Sequence, residues 1–406
     1  MRIQPFRALR PPQDLAARVA SLPYDVVDSD AARRLADGNP ASFLHVVRPE
    51  IDLDPGVRLY DDAVYVQARQ TFCQFIEKGY LARDTEPGLF VYRLEIGDHS
   101  QSGVVCTCHI DDYADDVIRK HERTLKTKED DRTRHVAALG ANAGPVFLTY
   151  PDRTEIDSLV EAAQQGPPVC DFVADDGIRH IVWPVGPTDD LADAFTAVPA
   201  AYVADGHHRT ASAARVGQER RKANSNHTGK EPYNWFLTVL FPARQLRIEP
   251  YNRAVTDLHG LSADAFMGQI EAAFHVSDQA TSAPPERGRI RMYRPGAWLE
   301  LRPRASPPAD PVASLDVSVL QDQLLAPILG IEDPRTDPRI RFVGGAGSPE
   351  VMRTWVDNGS AAVAFSLHPI RVEDLMDIAD AGKIMPPKST WFEPKLRSGL
   401  FVHTLD

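Results

Sequence analysis

Cysteine is scarce, with four in 406 residues at positions 73, 106, 108 and 170 and no framework spacing. That excludes a small scaffold stapled by disulfides. Cys106 and Cys108, in Val104-Val105-Cys106-Thr107-Cys108-His109-Ile110, alternate onto one face of a strand. A Cys-x-Cys-His cluster can ligate zinc, but no second ligand pair accompanies it, so buried strand cysteines are expected. Long apolar runs are missing as well: no segment approaches ~20 apolar residues, and Met1-Arg2-Ile3-Gln4-Pro5-Phe6 lacks the apolar core of a signal peptide. The expectation is a cytoplasmic, reducing location with no membrane partner. Positive charge is in deficit, 45 Lys and Arg against 57 Asp and Glu for a net −12. Broad attachment to nucleic acid or anionic lipid is opposed, whereas one local basic pocket for a small anion stays permitted. Finally, the glycine signatures of the common nucleotide folds are absent: no Gly-x-x-x-x-Gly-Lys-Ser/Thr, no kinase-type glycine loop, no Gly-x-Gly-x-x-Gly after a strand. Gly344-Gly345-Ala346-Gly347 only imitates one and is read as a turn.

What is present is ordinary globular material, 43% hydrophobic and 25% charged. At this length one core is rarely enough, so two sections are expected, residues 1–255 and 256–406. Helix and strand patterns alternate throughout, which places the chain in the α+β (mixed α/β) class. Ser29 to Ala36 reads as a helix with Asp28 or Ser29 as N-cap and Gly38 as its stop. Residues 57–80 read as an amphipathic helix with Leu59, Ala63, Val66, Phe72, Phe75 and Ile76 inward and Gly79 ending it. Leu89 to Ile96 and Ser102 to Ile110 suggest a hairpin. Residues 282–312 concentrate prolines around strands near Met292 and Trp298 and read as irregular connections. Pro23-Tyr24-Asp25 forms a turn that is either structural or ligand-facing.

Three stretches carry chemistry. The first is Val203-Ala204-Asp205-Gly206-His207-His208-Arg209-Thr210, a strand, an Asp-Gly turn and an Ala-rich helix that Gly217 is expected to close. A carboxylate, two imidazoles and a guanidinium therefore meet at a helix N-terminus, the end that attracts anions. Beyond it, Gln218 to Glu231 is polar and resembles a mobile loop. The second stretch is Lys120-His121-Glu122-Arg123-Thr124, ahead of a helix with Thr127 as expected N-cap and Gly140 as stop. Positive neighbours would keep Glu122 ionised and fit it for a general base. The charges from Lys126 to Arg134 are read as a solvated face. The third is Met385-Pro386-Pro387-Lys388-Ser389-Thr390, where stiff prolines present an ammonium and two hydroxyls able to donate to phosphate or carboxylate oxygens.

In this order, His121-Glu122, Asp205-Gly206-His207-His208-Arg209 and Pro387-Lys388-Ser389-Thr390 resemble the free serine kinases of the ParB/sulfiredoxin-like superfamily. With the Pro-Tyr-Asp-Val start and the Met-Pro-Pro-Lys-Ser-Thr ending, the whole chain looks like a widespread bacterial family described only as a domain of unknown function. The resemblance implies a ParB/sulfiredoxin-like nucleotide-binding core in the first section, with a C-terminal α/β subdomain that contributes the Lys-Ser-Thr loop. It implies transfer of the terminal phosphoryl group of ATP or ADP, with Mg²⁺, to the hydroxyl of free L-serine or a similar compound. Glu122 would be the base, assisted by Asp205 and His207. Gly206, His208, Arg209, Thr210 and Arg123 would handle the nucleotide phosphates, and Asp205 would also serve the metal. His121, Lys388, Ser389 and Thr390 would hold the acceptor. A homodimer is compatible with this reading, and nucleic acid is not a partner. The long N-terminal section and residues 255–315 depart from the kinases, which leaves the acceptor open. Two rival classes remain, a nucleotide sensor that performs no transfer and a metal-dependent phosphohydrolase using Asp205, His207 and His208.

Overall fold

The computed structural model describes residues 1–406 except 280, 285 and 307, and the backbone but not the side chain of Gln279. Pro285 and Pro307, within the proline-rich stretch expected to be irregular, thus lie outside the described residues. The fold is mixed α/β, with helices set against largely antiparallel sheets. It divides into two compact units. One comprises Met1–Lys120, Thr124–Leu246 and Pro394–Asp406, the other His121–Arg123 and Arg247–Glu393. Among the described residues no helix is long and apolar enough to cross a membrane.

The first unit is organised by the eleven-residue strand His99–His109. A two-residue turn at Gly97-Asp98, with Gly97 at φ +56°, returns it against Leu89–Ile96 from the Ile96↔His99 pair to Phe90↔Val105. Its other edge pairs antiparallel with Trp235–Pro242, which runs parallel to Val146–Tyr150. Val146–Tyr150 in turn carries Ala201–Asp205, the strand that delivers the Asp-Gly turn. Fully buried Val91, Val104, Leu148, Val203, Phe236 and Leu240 share the core of this sheet. Cys106 and Cys108 are both buried there as strand positions, each Sγ 3.3 Å from the Thr238 hydroxyl.

A second core gathers helices around Phe43, Phe72 and Phe75. Asp28 caps Ser29–Ala36 by accepting from the Ala31 N–H at 2.7 Å, and Gly38 turns at φ +69°. The helix expected over 57–80 is shorter, Asp62–Glu77. Leu59, Val66 and Ile76 are exposed, while Val64, Tyr65, Ala68 and Thr71 turn inward beside Phe72 and Phe75. Ala63 is exposed too, whereas Phe72 and Phe75 lie inward as expected; the inward Tyr65 donates its hydroxyl to Asp131 at 2.8 Å.

Two further expectations are corrected. The helix expected to stop at Gly217 runs from His207 to Ala223 and absorbs the start of the supposed loop. Gly217 permits close packing: a Cβ there would lie 2.3 Å from the Tyr233 carbonyl oxygen and 2.8 Å from Ile110. Arg221 anchors the extension, donating to Asn234 and Asp111. Likewise the helix Lys126–Leu139 is capped by Leu125 rather than Thr127. Its polar face is not wholly solvated, since Asp131, Arg132 and His135 are buried.

The second unit holds a six-stranded antiparallel sheet in the order Phe274–Gln279, Ala297–Pro303, Ile290–Arg294, Val363–Ser366, Tyr251–Val255, Ile340–Gly344. Helices Ala263–Ala273, Ser348–Asp357 and Val372–Asp380 belong to it, and Arg247–Glu249 pairs with Trp391–Glu393. Gly344 lies against the Trp391 ring, and Gly345 turns at φ +92°. The stretch read as a turn is therefore a packed strand end and turn. Tyr251–Val255 is an interior strand, and it positions the residues described next.

Candidate functional site

In the first unit, the strand Ala201–Asp205 ends at Gly206, whose φ of +97° is a conformation that a side chain resists. That turn starts the helix at His207, whose first N–H groups have no partner within the helix. Thr210 is fully buried and turns its hydroxyl back to the Gly206 carbonyl at 3.0 Å. It holds the turn. His207 is buried and His208 half-buried. The Leu125 N–H donates to His208 Nε2 at 3.0 Å, so that nitrogen is unprotonated and Nδ1 carries the hydrogen.

Arg209 is engaged inward. Nη2 donates to Asp205 Oδ2 at 2.9 Å, Nη1 donates to the Pro145 carbonyl, and Asp25 stands 3.6 Å away. Burial works against its charge, but Asp25, Asp205 and Tyr24 hold its pKa above the usual arginine value. Asp205 is also faced by Lys395, Nζ to Oδ1 3.7 Å. The turn is therefore an ordered charge array, Asp25–Arg209–Asp205–Lys395. Below it lies a cavity of about 40 Å³ whose lining includes Tyr24, Arg132, His135, Asn142 and Arg209. Arg209 Nε is buried without a hydrogen-bond partner among the described residues, and the cavity has room for a buried water to satisfy it.

The turn at Tyr24-Asp25 joins this array. The Arg132 guanidinium lies 4.2 Å from the centroid of the Tyr24 ring, and Asp131 bonds Arg132 at 2.7 Å. Asp25, Asp131, Arg132 and Lys395 were not among the site residues expected from sequence. The legible sign was the Tyr24-Asp25 turn itself; Asp131 and Arg132 were hidden in what reads as a solvated charge run.

In the second unit, two of the three motifs meet. The Met385 N–H donates to the His121 carbonyl at 2.8 Å, and the Thr390 hydroxyl lies 3.4 Å from His121 Nε2. His121 is 1% exposed, Glu122 half-buried and Arg123 exposed. Ser389 donates its hydroxyl to the Pro386 carbonyl at 2.6 Å, so it shapes the loop. Lys388 has φ +57°, unusual for a residue with a side chain, and its Nζ lies 5.5 Å from the centroid of the Tyr251 ring. Burial raises the Tyr251 pKa; the hydrogen-bonded Lys388 ammonium opposes that rise and the charge of Glu122 adds to it. His121, Glu122, Tyr251, Lys388 and Thr390 thus form one cluster, in which Tyr251 was not anticipated.

The chain matches, over residues 3–318, the model of a family described as "Protein of unknown function (DUF1015)". No curated protein matches it. Among solved structures it is similar to a conserved hypothetical protein from Pyrococcus furiosus, at 12% identity and TM-score 0.38, covering 72% of this chain and 93% of that one. It is similar to a free serine kinase in complex with AMP, at 10% identity and TM-score 0.38, covering 71% and 86%. It is also similar to a C-terminally truncated SbnI from Staphylococcus aureus, at 11% identity and TM-score 0.38, covering 72% and 85%.

Proposed function

The chain belongs to the DUF1015 family, and on that premise we propose that it is a nucleotide-dependent small-molecule kinase that phosphorylates the hydroxyl of free L-serine or a similar compound. The observation that carries the reading is the assembly of His121-Glu122 with the Lys388–Thr390 loop, two stretches remote in sequence. A carboxylate beside an ammonium and a hydroxyl suits deprotonation and orientation of an alcohol. The Asp-Gly-His-His-Arg turn, with the N–H groups of a helix start, suits a polyphosphate.

In the proposed reaction the acceptor oxygen forms a bond to the terminal phosphorus of ATP or ADP as the bond to the bridging oxygen breaks. ADP or AMP leaves, and the hydroxyl proton passes to Glu122. His121 and Thr390 orient the acceptor beside Lys388, while Ser389 holds the loop that presents them. At the turn, His207, His208 and the helix N–H groups receive phosphate oxygens. Arg209 and Thr210 keep the turn in shape, and Arg123 is an exposed cation for the nucleotide. Asp205 is the carboxylate that would hold a hard cation. Mg²⁺ supplies charge neutralisation between phosphate groups when bound.

Full-length protein with Mg²⁺, ATP or ADP and a panel of hydroxyl compounds, followed by phosphorus NMR, tests this. O-phosphoserine with stoichiometric ADP or AMP is expected. Glu122→Gln should lower turnover by about 10²- to 10⁴-fold while nucleotide affinity is kept; unchanged turnover removes the base. Nucleotide binding without product would favour the sensor, and phosphate release without acceptor the phosphohydrolase.

A further inference from the structure

Arg253 sits in the middle of the interior strand Tyr251–Val255 and is 2% exposed. All its hydrogen bonds go to carbonyls. Nη1 donates to Tyr251, and Nη2 donates to Lys388 at 2.9 Å and Pro387 at 3.3 Å. Its carbon Cζ lies 5.4 Å from the centroid of the Phe342 ring, and no carboxylate pairs with it among the described residues. A guanidinium buried without a countercharge is costly, and side chains in such places are ordinarily paired. Burial pushes its pKa down to about 9, which still leaves a cation at neutral pH.

The bonds identify what this costly group does. Lys388 is held at φ +57°, a conformation that a residue with a Cβ resists and that persists only where surroundings enforce it. Arg253 grips the carbonyls on both sides of that residue's N–H, Pro387 before it and Lys388 itself. The result sets the Lys388 ammonium over Tyr251, with a second, uncompensated positive charge behind it. Lys388 and Arg253 both act on Tyr251, and against the single carboxylate of Glu122 they leave net positive charge there, which favours an oxyanion.

We propose that Arg253 is the positioning residue for Lys388, and that the seat made by Lys388 and Tyr251 binds the oxyanion of a small ligand, a carboxylate or a phosphate. This deepens the kinase reading, on which it rests for the identity of the ligand as acceptor, by requiring that the acceptor carry an anionic group.

The test uses the full chain and two readouts that need no turnover. Backbone hydrogen exchange of the peptide spanning Met385–Phe392 should speed up at least tenfold in Arg253→Lys and Arg253→Met, while exchange in the sheet strands stays as in the wild type. Arg253→Lys keeps the charge but cannot bridge two carbonyls, and it guards against a general loss of folding in Arg253→Met. Unchanged loop exchange in Arg253→Lys would overturn the positioning role. In parallel, acylation of the Lys388 amine is followed by mass spectrometry against inorganic phosphate and, separately, sodium acetate. Protection by one of them in the wild type, with a midpoint shifted at least tenfold in Arg253→Lys, is expected, and the more effective anion identifies the chemistry. Absence of protection by either anion overturns the seat. A chain that shows both effects yet transfers no phosphoryl group retains this site and loses only the proposed activity.

Discussion

Arg209, at the proposed phosphate turn, is engaged by its own fold. It balances Asp25 and Asp205 and ties the turn to the Pro145 carbonyl. Removing it leaves the part-buried Asp25 and Asp205 carboxylates without the cation they share, which repels an incoming polyphosphate as well as loosening Gly206. Arg209→Ala should therefore raise the nucleotide dissociation constant by at least about tenfold, equivalent to 1.4 kcal/mol. Equilibrium binding of a fluorescent nucleotide measures it, and an unaltered affinity would remove the turn from the nucleotide site. Lysine at the same position is not equivalent, because one ammonium cannot satisfy a carboxylate and a carbonyl in Arg209's forked geometry.

Among the elements, the helix His207–Ala223 separates local from tertiary causes. Gly217 is poor for helix propensity and looks like a terminus, yet the helix continues because the glycine lets Tyr233 and Ile110 approach. Gly217→Ala should destabilise by about 1–3 kcal/mol through overpacking, although alanine is the better helix former. Gly38 provides the contrast: its φ is +69° and nothing lies within 4 Å of a built Cβ, so Gly38→Ala should cost only the left-handed conformation, about 1 kcal/mol. Denaturant unfolding of the two variants checks the order. Equal losses would mean that the Gly217 packing is readily relieved.

For the molecule as a whole, acid is the revealing variable. Burial lowers the pKa of His135 to about 3, of His180 to about 3 and of His403 to about 4, and all three lie in the first unit. His180 is the clearest: Arg397 donates to its Nε2 at 3.2 Å, so Nδ1 donates to the Tyr92 hydroxyl at 2.7 Å, and protonating Nε2 breaks the Arg397 bond. A neutral imidazole in the fold has a lower pKa than in the unfolded chain. As pH falls below about 6.5, the unfolded chain takes up protons first. Stability is complete above that pH and declines until about 3 to 4. At pH 5 each histidine accounts for about 2 kcal/mol of loss. Chemical denaturation of the wild type at pH 7 and 5, repeated with His180→Gln, should show a steep acid loss that the variant lessens. A flat profile would contradict the buried neutral imidazoles.

Much was decided by the residues alone. The class of fold, the hairpin that follows Leu89–Ile96, though not its tight turn at Gly97-Asp98, the Asp28 cap and the Gly140 stop follow from local period and turn chemistry, which need only neighbours along the chain. The three chemical stretches were legible too, because each packs several polar groups into a few residues. Tertiary structure decided where those groups are placed. Only through-space contact could turn Asp131 and Arg132 inward from a charged helix face, carry the helix past Gly217, or bring His121 to Met385 and Thr390. Arg253 is the extreme case, a lone charge in a strand, two of whose carbonyl partners, Pro387 and Lys388, lie more than 130 residues away in sequence. Backbone carbonyls are present at every residue, so no sequence pattern can reveal which ones a buried cation will find.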